Sequence, residues 1–372
     1  MKRVLLFFLL AFVNKAWSFP ETIRHGYVNC MACHTTSQGG DLLSLYGREL
    51  SKEIFSRKDS IFKTSQTEKN YWEVETPEWL NVGGDVRLLQ TFSESSVASK
   101  GRFMVMQVDL DGVAKLGENL QFYGSVGRYE PTAANSEWQD FIYTPRAWIQ
   151  YSHSDGAKFM ALRVGRFFPT YGINIPEHTY VTRRYLDFNP GQERLSAEIS
   201  WSNENYQFVA TALSKRATFE RYDPERGYVL QLSKVFGKNA RIGVNLYRSK
   251  LTQSGVEQNK AFEGVYALVG LAPEWSMLVQ VDRIYYPHGK TGVDDLLKFS
   301  YEYTQGLQFF FTQEYYNKDT VKTDPHVEAF GVGAEYFPAP NVELVATYRQ
   351  YKDSSQLNEL QKQVWLIAHL YF

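Results

Sequence analysis

The stretch VWLIAHLYF, residues 364–372, decides the fold. Successive side chains of a strand point to opposite faces. Val364, Leu366, Ala368, Leu370 and Phe372 therefore share one face, while His369 shares the other with Gln361 and Gln363. The same split recurs upstream. In KFSYEYT (298–304), Lys298, Ser300 and Glu302 alternate with Phe299, Tyr301 and Tyr303. In RIGVNLY (241–247), Arg241, Gly243 and Asn245 alternate with Ile242, Val244 and Leu246. A period of two sustained along a chain predicts strands with one polar and one apolar face.

From Trp79 onward the sequence divides into sixteen such segments: 79–92, 102–115, 118–130, 140–153, 157–168, 191–202, 205–215, 226–236, 239–249, 260–271, 274–286, 293–304, 306–317, 326–337, 341–352 and 360–372. Breaks after even-numbered segments are short, such as Leu116-Gly117, Gly237-Lys238 and Ala272-Pro273. Breaks after odd-numbered segments are generally longer and more polar. Outer-membrane barrels have this asymmetry, with short periplasmic turns and longer external loops. The final strand resembles the C-terminal strand of outer-membrane proteins, which ends in an aromatic residue read by the assembly machinery.

Composition agrees. The chain has 372 residues, with 25 Tyr, 25 Phe and 8 Trp. Lys and Arg number 40 against 41 Asp and Glu, a balance that argues against a nucleic-acid partner. Lys2-Arg3, the apolar run Val4 to Val13 and Ala16-Trp17-Ser18 form an export signal cleaved after Ser18. No later apolar run is long enough for a spanning helix. A soluble sandwich would alternate in the same way. The export signal, the terminal Phe and the turn asymmetry favour an all-β fold, a 16-stranded antiparallel transmembrane barrel in the outer membrane, porin-like, with lipid against its apolar face. The expected division is signal peptide 1–18, a short and mainly α haem c segment 19–57, a linker 58–78 and the barrel 79–372.

The third long connection, FPTYGINIPEHTYVTRRYLDFNPG (168–191), carries Glu177, His178, Arg183, Arg184 and Asp187. Loops of this length are uncommon and usually functional. In sixteen-stranded porins the third external loop folds inward and narrows the pore, and the same is expected here; the alternative is a solvated external loop.

Residues 29–36, NCMACHTT, hold both cysteines of the chain. In a CxxCH pattern the two thiols add to the haem vinyl groups and the adjacent histidine meets the iron. Cys30 and Cys33 would form the thioethers of one covalent haem c, and His34 would be the proximal ligand. A disulfide needs no His34, and a zinc site needs about four ligands. Downstream, DLLSLYGRELSKEIFSR (41–57) has helical spacing, with Asp41 as its expected N-cap. A segment this small buries little surface alone, so the haem is expected to shelter in the lumen or at its periplasmic mouth. Met is the usual sixth ligand. Strand parity, however, turns Met104, Met106, Met160 and Met277 toward lipid, and Met31 lies inside the motif. That leaves His25 as first choice for the opposite side of the iron, then His178 and His369.

RHGYVNCMACHTTSQGGDLLSLYGREL (24–50) followed by a barrel resembles the fused mono-haem cytochrome–porins of Gram-negative outer membranes, whose best-known members are iron oxidases. The match lies in Cys30, Cys33 and His34, flanked by Gly39-Gly40 and Tyr46-Gly47-Arg48. The resemblance implies one haem c, a sixteen-stranded barrel and electron transfer across the outer membrane. The donor would be Fe(II) or another extracellular reductant, and the acceptor a periplasmic c-type cytochrome or other soluble carrier. Asp294-Asp295 would attract Fe(II) or serve as plain loop charge, and Arg183 and Arg184 would pair with haem propionates. The different expectations are a passive diffusion porin with a haem-bearing plug or sensor, and a structural barrel scaffolding a partner cytochrome.

Overall fold

In a computed structural model of the chain, the described residues are 17–18, 21–36, 39–56, 76–128, 142–143, 145–175, 180–217, 222–286, 289–322, 326–354 and 357–372. The export signal apart from 17–18, most of the linker, and Glu177 and His178 lie outside them.

The alternating segments form strands β1 (Leu80–Glu94), β2 (Ser99–Lys115), β3 (Leu120–Arg128) and β4, which runs in two pieces, Ile142–Tyr143 and Ala147–Asp155. Then follow β5 (Lys158–Phe167), β6 (Arg194–Ser202), β7 (Tyr206–Ala217), β8 (Tyr222–Phe236), β9 (Ala240–Gln253) and β10 (Val256–Ala272). The last are β11 (Trp275–Tyr285), β12 (Thr291–Thr304), β13 (Leu307–Asn317), β14 (His326–Ala339), β15 (Val342–Asp353) and β16 (Leu357–Tyr371). Each strand pairs antiparallel with the next. The two pieces of β4 both pair with β3, so they occupy one place in the ring. β16 pairs with β1, Leu366 opposite Gln90, and closes a sixteen-stranded barrel. Closure leaves no free edge, which suits a sheet in lipid. The turns β8–β9 and β12–β13 are tight, and Gly237 and Gly306 take positive φ there (65° and 82°), a conformation glycine adopts without a Cβ clash.

Faces follow parity on most strands. Asp109, Asp111, Arg241, Asn245, Lys298 and Ser300 are buried inward, while Leu110, Ile242, Val244 and Tyr303 are exposed outward. Parity fails for two methionines. A bulge sits where Arg87 pairs with Gln107 but Leu88 pairs with Val105. The extra residue is Met106, and a bulge reverses facing beyond it. Met104 therefore pairs with the buried Leu89 and faces inward, and Met106 is only 5% exposed. Asp294 and Asp295 form no loop pair either. They lie in β12, Asp294 buried and inward, Asp295 half-buried and bonded by Gln313 Nε2 at 2.7 Å.

Part of the lumen is occupied by chain packed inside it. The loop 168–193 turns inward. Its short helix α2 (Val181–Tyr185) has Val181 N donating to Glu314 Oε2 of β13 at 2.6 Å. Tyr171 donates to Asp282 and Ile173 N to Gln280, both of β11. Tyr171, Leu186 and Phe188 pack on inward Val229, Tyr247 and Phe262. These strand positions break the polar-inward rule, since a loop buried in the lumen needs an apolar wall.

Below this loop sits the N-terminal segment. Its helix α1 (Leu45–Ile54) is capped by Ser44, whose Oγ accepts from Gly47 N at 3.0 Å. The cap is not Asp41, which has φ 53° and serves another purpose. Ile23 is fully buried against Leu268, Leu278 and Leu296; one such side chain contributes roughly 2 kcal/mol. Arg24, 1% exposed, meets Glu302 at 3.1 Å and donates to Gln308 at 3.1 Å. Arg48 donates to Val82 O, Asn81 to Leu43 O, and Ser51 shares a hydrogen bond with Tyr371. The segment is thus tied inside the barrel on the side of its short turns, across the seam where β16 meets β1.

Candidate functional site

The segment, the loop and the barrel wall line a cavity of about 310 Å³. Cys30, Cys33 and His34 all line it. A 3-10 turn over Cys30–Ala32 puts them on one side: His34 N donates to Cys30 O at 3.0 Å, and Asn29 Oδ1 accepts from Met31 N. The turn is held from behind by α1. Ser44 N donates to Cys33 O at 2.8 Å, and a Cβ on Gly47 would stand 2.2 Å from that same oxygen. Only glycine lets the helix approach so closely. Gly39 and Gly40 follow with φ near +78° and +76°, and Asn174 of the inward loop donates to Gly39 O at 2.9 Å. The glycines of the sequence motif therefore shape the cavity floor.

Both thiols are free, so they are not spent on a disulfide. Burial, then the neighbouring Cys30, pushes the Cys33 thiol up to about 11. His34 is held below the usual histidine range, mainly by burial, although Asp41 pulls the other way. Its ring is neutral at pH 7 and offers a nitrogen lone pair. Two thiols and a neutral imidazole on one apolar-walled cavity fit a covalent haem. Ile173, Ile175, Leu268 and Leu278 supply the apolar wall, and Arg87, Arg146 and Arg241 stand among the polar lining. No cluster of three or more His, Cys, Asp or Glu that would hold a bare metal ion exists among the described residues.

The remaining site residues are placed less simply. His25 does not line the cavity. Its Nε2 accepts from Arg24 Nε at 3.4 Å and stands 3.7 Å from Glu302. Burial, then Arg24, lowers it to about 4. His369 does line the cavity, but both ring nitrogens are engaged: Nδ1 with Glu343 at 2.6 Å and Nε2 with Asp85 at 2.7 Å. Neither is free for iron. His178 lies outside the described residues. Arg183 lines the cavity while donating to Asn174, Ile175 O and Phe188 O, so it knits the loop together. Arg184 is exposed and lies over the Tyr185 ring.

Sequence reasoning missed Asp41. Its carboxylate takes Arg146 Nη1 at 2.5 Å and Trp148 Nε1 at 3.2 Å, and so bolts the motif segment to β4. It also missed the inward carboxylates Asp85, Glu335 and Glu343. A usable signal for the cavity wall existed in β10, where Val265, Tyr266, Ala267 and Leu268 abandon alternation.

Sixteen antiparallel strands closed on themselves, an apolar outer face and an inward third loop define a porin-like outer-membrane barrel. Solved structures agree. The chain is similar to the outer-membrane channel DcaP of Acinetobacter baumannii (11% identity, TM-score 0.54, covering 79% of this chain and 97% of that one). It is similar to OmpF of Salmonella typhi (12%, 0.57, 79% and 97%) and to an anion-selective porin from Comamonas acidovorans (12%, 0.55, 79% and 99%). At such identity the likeness is one of fold. No protein-family model matches the chain, and no curated protein does. The protein is a multi-pass β-barrel of the outer membrane.

Proposed function

We propose that the barrel carries one covalent haem c in its lumen and passes single electrons from an extracellular reductant, Fe(II) among them, to a periplasmic c-type cytochrome or other soluble carrier. One observation carries this reading: Cys30, Cys33 and His34 line a single cavity walled by the barrel, the inward loop and the segment itself. Cys30 and Cys33 would hold the haem by thioethers, and His34 would bind its iron. When bound, the group supplies a one-electron acceptor that returns to its starting state after donation. The chain's own part is to exclude water with Ile173, Ile175, Leu268 and Leu278 and to hold the backbone of the Cys30–His34 turn through the Cys33–Ser44 hydrogen bond. The hydrocarbon layer is about 30 Å thick, so a site on the periplasmic half leaves the outer half to be crossed by the donor or the electron. His25, which would have to leave Arg24 and Glu302 to enter the cavity, and His178 would be the further histidines to test as iron ligands. His178 stands three residues from Ile175, a cavity residue.

A second reading, a diffusion porin whose segment is a haem-bearing plug, is favoured by the fold comparisons with channels and porins. The deciding experiment is a haem stain and visible spectrum of outer-membrane fractions, wild type beside Cys33→Ser, with bilayer conductance on the purified protein. A c-type spectrum lost in the variant, with low conductance and fast reduction by Fe(II), supports the conduit. An unreactive haem in a conducting barrel supports the porin, and a barrel without haem refutes both.

A further inference from the structure

We propose that His369, clasped between Asp85 and Glu343, is the centre of a proton-binding site coupled to the redox state of the lumen cavity. This rests on the electron-transfer reading above. It concerns different residues from those that would hold the haem.

The geometry is specific. His369 of β16 faces Glu343 of β15 through Nδ1 and Asp85 of β1 through Nε2, at 2.6 and 2.7 Å. Carboxylates accept, so both ring nitrogens carry hydrogen and the ring is an imidazolium. Glu335 of β14 stands on the neighbouring strand, two residues along from Glu343, since it pairs with Val345 of β15. Glu335 also takes Gln308 Nε2 at 2.6 Å and stands 3.7 Å from Lys298 of β12, which is paired with Glu21 of the segment at 2.6 Å. Arg87 of β1 faces His369, Asp85 and Glu343. Arg146, held by Asp41, Asp109 and Asp111, faces Asp85 from the β4 side, and His34 senses Asp85 as well. Tyr371 lies beside the His369 ring and is bonded to Ser51 of α1.

Within this cluster Asp85, Glu343, Glu335 and Glu21 oppose His369, Lys298 and Arg87. Fully ionised, that is four negative charges against three positive, so one bound proton makes it neutral. His369, Asp85, Glu335 and Glu343 line the same cavity as Cys30, Cys33 and His34. An electron added there, in a low-dielectric enclosure, raises the affinity of the cluster for that proton. The step balances: the donor loses one electron, the redox centre gains it, and one proton from periplasmic water binds the carboxyl–imidazole cluster. No other bond changes. His369 is three residues from the chain end, on the side of the short turns, which places the site toward periplasmic water.

The test uses the full haem-loaded chain in detergent, with its midpoint potential measured from pH 5 to 9. The potential is expected to fall as pH rises, with a slope approaching about 59 mV per unit, the one-electron equivalent of a tenfold change. His369→Gln and Glu335→Gln, which keep hydrogen bonding but cannot carry the proton, are expected to lose at least half of that slope while keeping the haem spectrum. A flat wild-type profile, or variants with the wild-type slope, overturns the proposal. Ring-labelled histidine NMR on the haem-free chain separates the two readings. A chain that never takes up haem ends the electron-transfer reading, whereas a neutral His369 ring at pH 7 ends this one independently.

Discussion

Asp41→Asn is expected to loosen the segment from the barrel without unfolding the barrel. The Asp41 side chain is 10% exposed and ties the motif to β4 through Arg146 (2.5 Å), Trp148 Nε1 (3.2 Å) and Arg163 (3.8 Å). Removing one partner of a buried ion pair costs about 3–5 kcal/mol when the other is stranded. Arg146 is not stranded, because Asp109 and Asp111 stand 3.4 and 3.7 Å away. The asparagine also keeps an acceptor for Trp148 and tolerates the left-handed backbone at φ 53°. What is lost is one charge-assisted bond, about 2 kcal/mol. That is a roughly 30-fold rise in the population with the segment undocked. Asp41→Ala loses the Trp148 bond as well and adds left-handed strain of about 1 kcal/mol, so its rise should be several-fold larger. The readout is maleimide labelling of Cys33, 8% exposed, in the haem-free folded chain, because labelling of a buried thiol tracks the open population. Labelling of Asp41→Asn within twofold of wild type would refute the bolt, as would an Ala variant no faster than the Asn variant.

Three further outcomes follow from the same contacts. Gly47→Ala should destabilise the docked segment despite alanine's better helix propensity, about 1 kcal/mol, because its Cβ would meet the Cys33 carbonyl at 2.2 Å; faster Cys33 labelling checks it. Arg24→Met should cost about 3 kcal/mol of segment docking, leaving Glu302 and Gln308 without their partner, read by the same labelling against urea. Asp187 anchors the inward loop: burial alone would raise its carboxyl, but Lys260, Arg194 and Arg216 outweigh burial and hold it well below the usual range. A folded pKa below the unfolded value gives stability that is present above about pH 4 and lost as pH falls through it toward the folded value. Loop release on acidification below about pH 4, followed by proteolysis, should be seen in wild type, whereas Asp187→Asn should be protease-sensitive already at pH 7 with no further change on acidification.

The local rules of a strand made much of this protein legible. All sixteen segments read from alternation became strands, because a side-chain period of two and lipid on one side leave a chain few options. The alternation could not show Met106 as a bulge. A bulge is a property of two paired strands, and the Arg87–Gln107 to Leu88–Val105 slip exists only once β1 and β2 meet. Ser44 and Asp41 illustrate the same limit. Both are good caps by residue type, and the choice fell to Ser44 because Arg146 and Trp148, over a hundred residues away, claim the aspartate.

By itself the sequence determined the closed barrel, the two ends on the side of the short turns, and the CxxCH spacing of Cys30, Cys33 and His34. Each depends on residues near one another in the chain. The tertiary structure decided where that motif is housed and which groups surround it. His369 illustrates the difference. Parity put it on the lumen face, but Glu343 and Asp85, brought alongside by strand pairing and barrel closure, turned a candidate iron ligand into a ring engaged at both nitrogens. Burial and cross-strand neighbours set the role of an ionisable side chain, and those exist only after the ring has closed.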